Sequence, residues 1–259
     1  MDLGIAGRHA IVCAASKGLG RACAVSLARA GVSLTIAART KADVEAVAGE
    51  IGTAHGVAVT AVTADVTTPE GRTAILAAAP RADILVNNAG GPPRGDFRSF
   101  SPDQWMAAVN DNMVAAIEMI RALVDGMIEQ RFGRIVNITS GAVRSPVADL
   151  SLSTAARLGL TGYTAGVARQ VARHNVTINN LLPGRFETDR FRSGVAGRAK
   201  SAGISYEEQF ERQRSVVPAQ RFGDPAEFGD ACAYLCSRQA SFIVGQNLLL
   251  DGGEFPGTF

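Results

Sequence analysis

The sequence predicts a single α/β domain: a seven-stranded, mostly parallel, doubly wound sheet with helices on both faces. Three observations predict it. Short apolar runs alternate with longer amphipathic ones along the whole chain, and strand–helix alternation of this kind builds parallel sheets through right-handed crossovers. The apolar runs, such as "ILV" and "RIV", lack period-two patterning, as expected of strands covered on both faces. The first run ends in a tight glycine turn that opens directly into a helix. A chain of 259 residues suits one domain over 1–259 better than two small ones.

The elements follow in order. "HAIVCAA" (9–15) reads as a buried strand and "GRACAVSLARAG" (20–31) as a helix closed by glycine. "VSLTIAAR" (32–39) is a strand and "KADVEAVAGEIG" (41–52) a helix. "VAVTAVTADV" (57–66) is a strand, and "PEGRTAILAAA" (69–79) a helix with proline near its start. "DILVNNAG" (83–90) is a strand, and one long helix covers 102–130 after the Ser101-Pro102 start. "GRIVNITS" (133–140) is a strand, 151–173 a helix, and "VTINNLLPG" (176–184) a strand. Residues 225–237 form a helix and "QNLLLDGG" (246–253) the last strand. Only 185–221, rich in Gly, Arg and Glu, is irregular, and it reads as a lid over a substrate site.

Composition narrows the function. A net charge of +2 and the absence of any Lys/Arg-rich run give no reason to expect nucleic acid. Cys13, Cys23, Cys232 and Cys236 form no CxxC pair, so they read as buried thiols of a reducing compartment. His9, His55 and His174 have no metal-ligand spacing, and no metal is expected. No stretch approaches 18 uncharged apolar residues, so no membrane span is expected. "MDLGIAGRHAIV" does not read as a secretory leader, and the expected location is cytoplasmic.

The turn "CAASKGLGRA" (13–22) carries the first chemistry. A glycine turn opening a helix gathers bare N–H groups and the positive end of the helix dipole, where a dinucleotide pyrophosphate can sit. The spacing is Ala14-x-x-x-Gly18-x-Gly20 rather than GxGxxG. Lys17 lies in the turn and Arg39 just past the second strand. In a Rossmann-type fold an acid at that second place accepts the 2′-OH of NAD, whereas arginine pairs with the 2′-phosphate of NADP. The pair therefore favours NADP(H) over NAD(H).

With these motifs the chain resembles the short-chain dehydrogenase/reductase family, particularly its 3-oxoacyl-acyl-carrier-protein-reductase-like members, over essentially its whole length. "CAASKGLG" (13–20) is similar to the family's TGxxxGxG, with Ala14 where glycine is expected. "ADV" (64–66) resembles the element whose aspartate contacts adenine, and "NNAG" (87–90) matches the motif after the fourth strand. "RIVNITS" (134–140) puts Ser140 at the catalytic serine position, and Asn112 is placed like the active-site asparagine. "LLPGRFET" (181–188) is similar to the segment beside the nicotinamide. The resemblance implies cofactor contacts from Ala14, Ser16, Lys17, Gly18, Leu19, Gly20, Arg39, Asp65, Val66, Asn88, Ala89, Gly90, Arg157, Pro183, Gly184 and Thr188. It also implies a homo-oligomer, a tetramer formed through the helices 102–130 and 151–173.

The family places Tyr-x-x-x-Lys on the helix after the serine. Counting forward from Ser140 and backward from "NVTINNLLPG" (175–184) aligns that motif with Ser153-Thr-Ala-Ala-Arg157, without a gap. Tyr163 is ten residues further on. In the family the tyrosine transfers the proton, while the lysine lowers its pKa and holds the nicotinamide ribose. A phenol starts near a pKa of about 10; a serine hydroxyl is far less acidic and rarely ionises without a base. Arg157 is no such base, since a guanidinium keeps its proton. The pair can donate hydrogen bonds to an oxyanion and clamp the ribose, with Asn112 ordering a water as proton source.

The expected activity is therefore NADP(H)-dependent hydride transfer to or from a small carbonyl/alcohol substrate, through an Asn112, Ser140, Ser153 and Arg157 site, with activated carbonyls preferred. Arg94, Arg144 and Tyr206 line the expected substrate entrance, the first two as possible anion contacts and Tyr206 as a replacement proton donor. Two alternatives stay open at this point. One is a catalytically silent NADP(H)-binding regulatory protein; the other is a lyase or isomerase using the same pocket.

Overall fold

A computed structural model describes residues 2–258. The strands are β1 (His9–Cys13), β2 (Ser33–Ala38), β3 (Val59–Thr63), β4 (Ile84–Asn87), β5 (Gly133–Ile138), β6 (Val176–Pro183) and β7 (Asn247–Leu250). They form one sheet in the order β3-β2-β1-β4-β5-β6-β7, and every pairing is parallel. The expected Rossmann-like architecture is what the chain adopts, and the sheet is wholly rather than mostly parallel. The order in which strands are added reverses between β1 and β4, and ligands of such sheets bind outside the carboxyl ends of the strands at that point.

Helices α1 (Gly18–Arg29), α2 (Lys41–His55) and α9 (Pro225–Cys236) bury a core with one face of the sheet, around Leu27, Ile36, Val44, Phe228 and Cys232. On the other face α3 (Pro69–Ala78), α5 (Ala115–Glu129) and α6 (Ser151–Val171) close over Ile75, Leu85, Met119, Ile135 and Val171. All four cysteines are buried free thiols, as expected. Among the described residues no helix is long and apolar enough to cross a membrane.

Two expectations need correction. The helix read over 102–130 is three pieces: α4 (Pro102–Val109), a single π-helical turn at Asn110–Val114, and α5. Residues 105–119 contain neither proline nor glycine, so no helix-breaking residue type marks the widened turn. Its start is as read: Ser101 and Gln104 form a reciprocal capping box. The stretch 185–221 is not irregular throughout, since it holds α7 (Asp189–Ala202) and α8 (Tyr206–Ser215). Both helices are so polar that neither shows the apolar stripe of a core helix, and serine and threonine caps start them instead.

A buried amide ladder stiffens the sheet beneath its carboxyl edge. Asn87, Asn137, Asn180 and Asn247 stand in register on four neighbouring strands. Asn87 Nδ2 donates to Asn137 Oδ1 (2.9 Å), Asn137 Nδ2 to Asn180 Oδ1 (3.0 Å), and Asn180 Nδ2 to Asn247 Oδ1 (2.8 Å). Each such bond contributes about 0.5–1.5 kcal/mol, and leaving one unmade inside the core costs more.

Candidate active site

At the β1–α1 turn Ala14 takes a left-handed backbone (φ 48), which explains why glycine is expected there. Gly20 is needed for close approach: a Cβ on it would lie 2.4 Å from the Ala14 carbonyl and 2.8 Å from Asn88 Nδ2. Asn88 Nδ2 in turn donates to that carbonyl (3.3 Å), so the loop after β4 holds the turn. No side chain caps α1 and no acid lies in its first turn. Its leading N–H groups, from Gly18, Leu19 and Gly20, therefore remain available to an anion, with Ser16 half-buried just before them.

The basic pair sits at the mouth of this turn. Lys17 Nζ lies 3.0 Å from Asp43 Oδ2, a contact that raises its pKa. Arg39 Nη1 is 3.9 Å from Asp65 Oδ2 with its side chain 78% exposed, so most of its donors are free. Asp65 uses Oδ1 to accept from Thr67 N (3.0 Å) and Thr67 Oγ1 (2.8 Å), and Val66 is buried beside it. Thr188 caps α7 through Phe191 N (3.2 Å), and Gly184 N donates to Leu250 O (2.8 Å) as the chain leaves Pro183. The structure thus brings the residues expected to hold a dinucleotide to one edge of the sheet.

Arg157 organises the second half of the site. It is 8% exposed and spends four of its five N–H groups inside the protein. Nε donates to Ser153 Oγ (3.2 Å), Nη1 to the Ile138 and Thr139 carbonyls (2.7 Å each), and Nη2 to Asn112 Oδ1 (2.8 Å). One side chain therefore ties α6 to the end of β5 and to the π-helical turn that presents Asn112. Gly159 permits this approach, because a Cβ there would lie 2.6 Å from Met113 Sδ in the same turn. Among the described residues no carboxylate lies within 4 Å of Arg157. Burial, with the positive charge of Arg190, pulls its pKa down to about 10, so it remains a cation at neutral pH.

Asn112 is buried, and its Nδ2 reaches the Ala108 carbonyl (3.4 Å) while its oxygen serves Arg157. Ser140 Oγ accepts from Ala142 N (3.1 Å), capping the short turn Gly141–Val143. Neither Ser140 nor Ser153 has its hydroxyl proton engaged among these bonds, so both keep a donor. Beneath Arg157 lies a cavity of about 20 Å³, lined among others by Asn87, Asn88, Ala89, Asp111 and Asn112. Asn87 Oδ1 is buried there with no protein partner. The space suits one water with polar neighbours. Asn87 escapes a reading of the sequence because its role depends on strand register.

The substrate-side residues are only partly brought together. Arg94 pairs with Asp149 (3.0 Å), joining the loops after β4 and β5, and Gly90 opens the first of these loops. Arg144 follows the Gly141–Val143 turn. Tyr206 packs on Phe210 at 5.9 Å and is absent from the lining of the Arg157 cavity. Gln213 of α8, to which sequence reading gives no role, accepts from Arg185 and from Arg198 of α7.

Comparisons with known proteins agree with this geometry. Residues 8–198 match the short chain dehydrogenase family model. The chain is 31% identical to the 3-oxoacyl-acyl-carrier-protein reductase FabG of Vibrio cholerae, over 98% of this chain and 99% of the relative. It is 32% identical to the NADPH-dependent reductase BacG of Bacillus subtilis, over 95% and 97% of the two chains. Among solved structures, L-sorbose reductase from Gluconobacter frateurii, complexed with NADPH and L-sorbose, superposes with a TM-score of 0.94 at 27% identity, over 99% of this chain and 100% of the other. YwfH, an NADPH dependent reductase involved in bacilysin biosynthesis, gives a TM-score of 0.91 at 30% identity, over 96% and 99%. The chain belongs to the short-chain dehydrogenase/reductase family.

Proposed function

We propose that this oxidoreductase uses NADP(H) in preference to NAD(H) and moves a hydride between nicotinamide and a carbonyl or alcohol. Its site is built from Asn112, Ser140, Ser153 and Arg157, with serine and arginine standing where the family has tyrosine and lysine. The observation that carries the reading is Arg157: a buried cation without a carboxylate, locked to Asn112 and Ser153 at the carboxyl edge of the sheet. The uncapped α1 terminus, the close Ala14–Gly20 turn and the free donors of Arg39 fit the cofactor. When bound, NADPH supplies the hydride.

Ser140 and Ser153 donate to the substrate oxygen as negative charge grows on it. Arg157 orients Ser153 and Asn112 and adds its charge to that oxygen's surroundings. Because four of its N–H groups are spent in the protein, it offers the ribose a single N–H and acts chiefly as a positioning residue. Preorganised donors contribute about 10²–10³ each, while losing a positioned general acid costs about 10²–10⁴. Carbonyls that need little proton help, such as quinones and 1,3-dicarbonyls, are therefore the preferred acceptors. The proton comes from water, held between Asn87 Oδ1 and Asn112. A single domain over 1–259 and a tetramer through α4–α5 and α6 are part of this proposal.

NADPH oxidation followed against diketones, quinones and simple ketones tests it. Ser153→Ala is expected to lower kcat/KM on activated carbonyls about 10²-fold. Arg39→Ala is expected to weaken NADPH about 10–100-fold and NADH far less. Tight NADPH binding without turnover on any acceptor would replace this reading with the silent regulatory one.

A further inference from the structure

The lid reveals the class of substrate. Arg94 of the β4 loop holds Asp149 of the β5 loop (3.0 Å), Gly95 N donates to the Asp149 carbonyl (3.1 Å), and Arg190 of α7 donates to the Gly91 carbonyl (3.2 Å). The first two contacts join the loops after β4 and β5, and the third ties α7 to the β4 loop. Arg198 of α7 makes one hydrogen bond among the described residues, from Nη2 to Gln213 Oε1 (3.0 Å). The same oxygen accepts from Arg185 Nη1 (3.0 Å).

The charges do not balance there. Arg94 is met by Asp149 (3.0 Å) and Arg185 by Glu254 (2.8 Å). Among the described residues Arg198 has no carboxylate within 4 Å; burial first, then the charges of Arg94 and Arg185, lower its pKa, and the more distant Asp149, already paired with Arg94, opposes them only in part. Gln213 is 6% exposed. Two arginine donors dictate which end of its amide faces them, so the NH₂ must face the other way, and there it has no partner. Of the buried side-chain atoms without a partner among the described residues, the Gln213 NH₂ is the one nitrogen donor, and an unmade buried donor is costly to keep. A half-buried unneutralised guanidinium beside an unsatisfied amide NH₂ calls for an oxyanion.

We propose that Arg198 and Gln213 form an anion subsite at the lid end of the substrate pocket, which takes the carboxylate of an oxo acid. The reduced carbonyl of that acid would lie at Ser140 and Ser153, and this half of the inference rests on the oxidoreductase reading above. A planar carboxylate matches the guanidinium fork and leaves room for the amide donor, whereas a neutral ketone would leave both groups unsatisfied. Among the described residues Arg157 and Arg190 also lack carboxylate partners, and Arg190 is near enough for its charge to act on Arg157, so positive potential extends from α7 to the Ser153 side.

The test compares linear oxo-carboxylates of four to eight carbons with their methyl esters, by calorimetric binding to the NADPH-loaded protein and by NADPH oxidation. The acids should be favoured about 10–100-fold, as expected when a buried charged pair goes unmet. Arg198→Met and Gln213→Leu should each bring the acid-to-ester ratio close to one. Exposed Arg212→Met, which removes only the outer bond to Glu208 (2.7 Å), should leave the ratio where it is. Gln213→Glu keeps acceptors for both arginines, so it supports folding, and it should turn the preference towards esters. Esters equal to acids, acetoacetyl-coenzyme A preferred to every free acid, or an acid preference unchanged in both variants would overturn the subsite. Acid binding without turnover would sink the oxidoreductase reading and keep the subsite; equal turnover of acids and esters would do the reverse.

Discussion

Arg134 and Arg157 are two buried arginines attached to the same strand, and the difference between them separates support from chemistry. Arg134 enters at the amino end of β5. It donates to the Ser237 and Gly133 carbonyls (3.2 and 2.8 Å) and to both oxygens of Asn175 (2.8 and 3.2 Å), and it lies over the Phe132 ring at 4.4 Å. Arg157 meets the carboxyl end of β5 and reaches Asn112 and Ser153. Among the described residues neither has a carboxylate partner, and burial lowers the pKa of both. A buried cation alone is therefore no mark of function. Position decides: the amino edge of a parallel sheet carries structure, and the carboxyl edge carries the site.

The sharpest way to break this contrast is to remove each side chain. Arg157→Ala is expected to lower kcat/KM on activated carbonyls by about 10²–10³, since it frees both Ser153 and Asn112 and removes a preorganised charge. Arg157→Lys should recover part of that, because a point charge replaces the fork. Arg134→Ala is expected to keep turnover per folded molecule, while losing on the order of 3 kcal/mol of stability as several buried acceptors go unmet. Urea unfolding beside NADPH oxidation reads both. A loss of turnover in Arg134→Ala at unchanged stability would void the distinction.

The same contrast shows what a sequence discloses. The strands, their parallel order and the glycine turn were legible because each depends on local pattern: apolar runs, turn residues and alternation with helices. Ser153 and Arg157 were legible as neighbours because four residues are one turn. Their acceptors were not, since the Ile138 and Thr139 carbonyls belong to another element. The amide ladder was hidden for a like reason: "ILVN", "RIVN" and "TINN" align their asparagines only once strand register is known. The widened turn at Asn110–Val114 and the Gln213 hub arise from packing, and no residue type announces them.

A smaller effect separates the two arginines by pH. Burial holds the Arg157 pKa at about 10, well below the usual guanidinium range, so between the folded and unfolded values the unfolded chain binds more protons than the folded one. Stability from this group therefore rises with pH across that window, and its burial is a cost below about pH 10. Activity should behave oppositely. Arg157 adds no slope to NADPH oxidation between pH 7 and 9, and turnover falls as pH climbs through about 10, where the charge is shed. Circular dichroism across the same range should stay native, which separates loss of the cation from loss of the fold. Arg157→Ala should lack this high-pH step.

The smallest effect concerns backbone strain at the two edges. Near Arg134, Arg131 and Asn175 adopt positive φ (53 and 59). Asn175 offsets that cost by accepting from Arg134 and donating to the Arg131 carbonyl (2.9 Å). Ala14 (φ 48) has no polar group with which to do the same, and a left-handed L-residue costs roughly 1–2 kcal/mol. Ala14→Gly should therefore stabilise the protein by about 1 kcal/mol, raising Tm by about 2–4 °C, with NADPH affinity retained. Asn175→Gly relieves the same strain yet should destabilise, because it strips Arg134 of an acceptor. If both glycine variants moved Tm in the same direction, strain alone would account for the two edges, and the bonds around Arg134 would count for little.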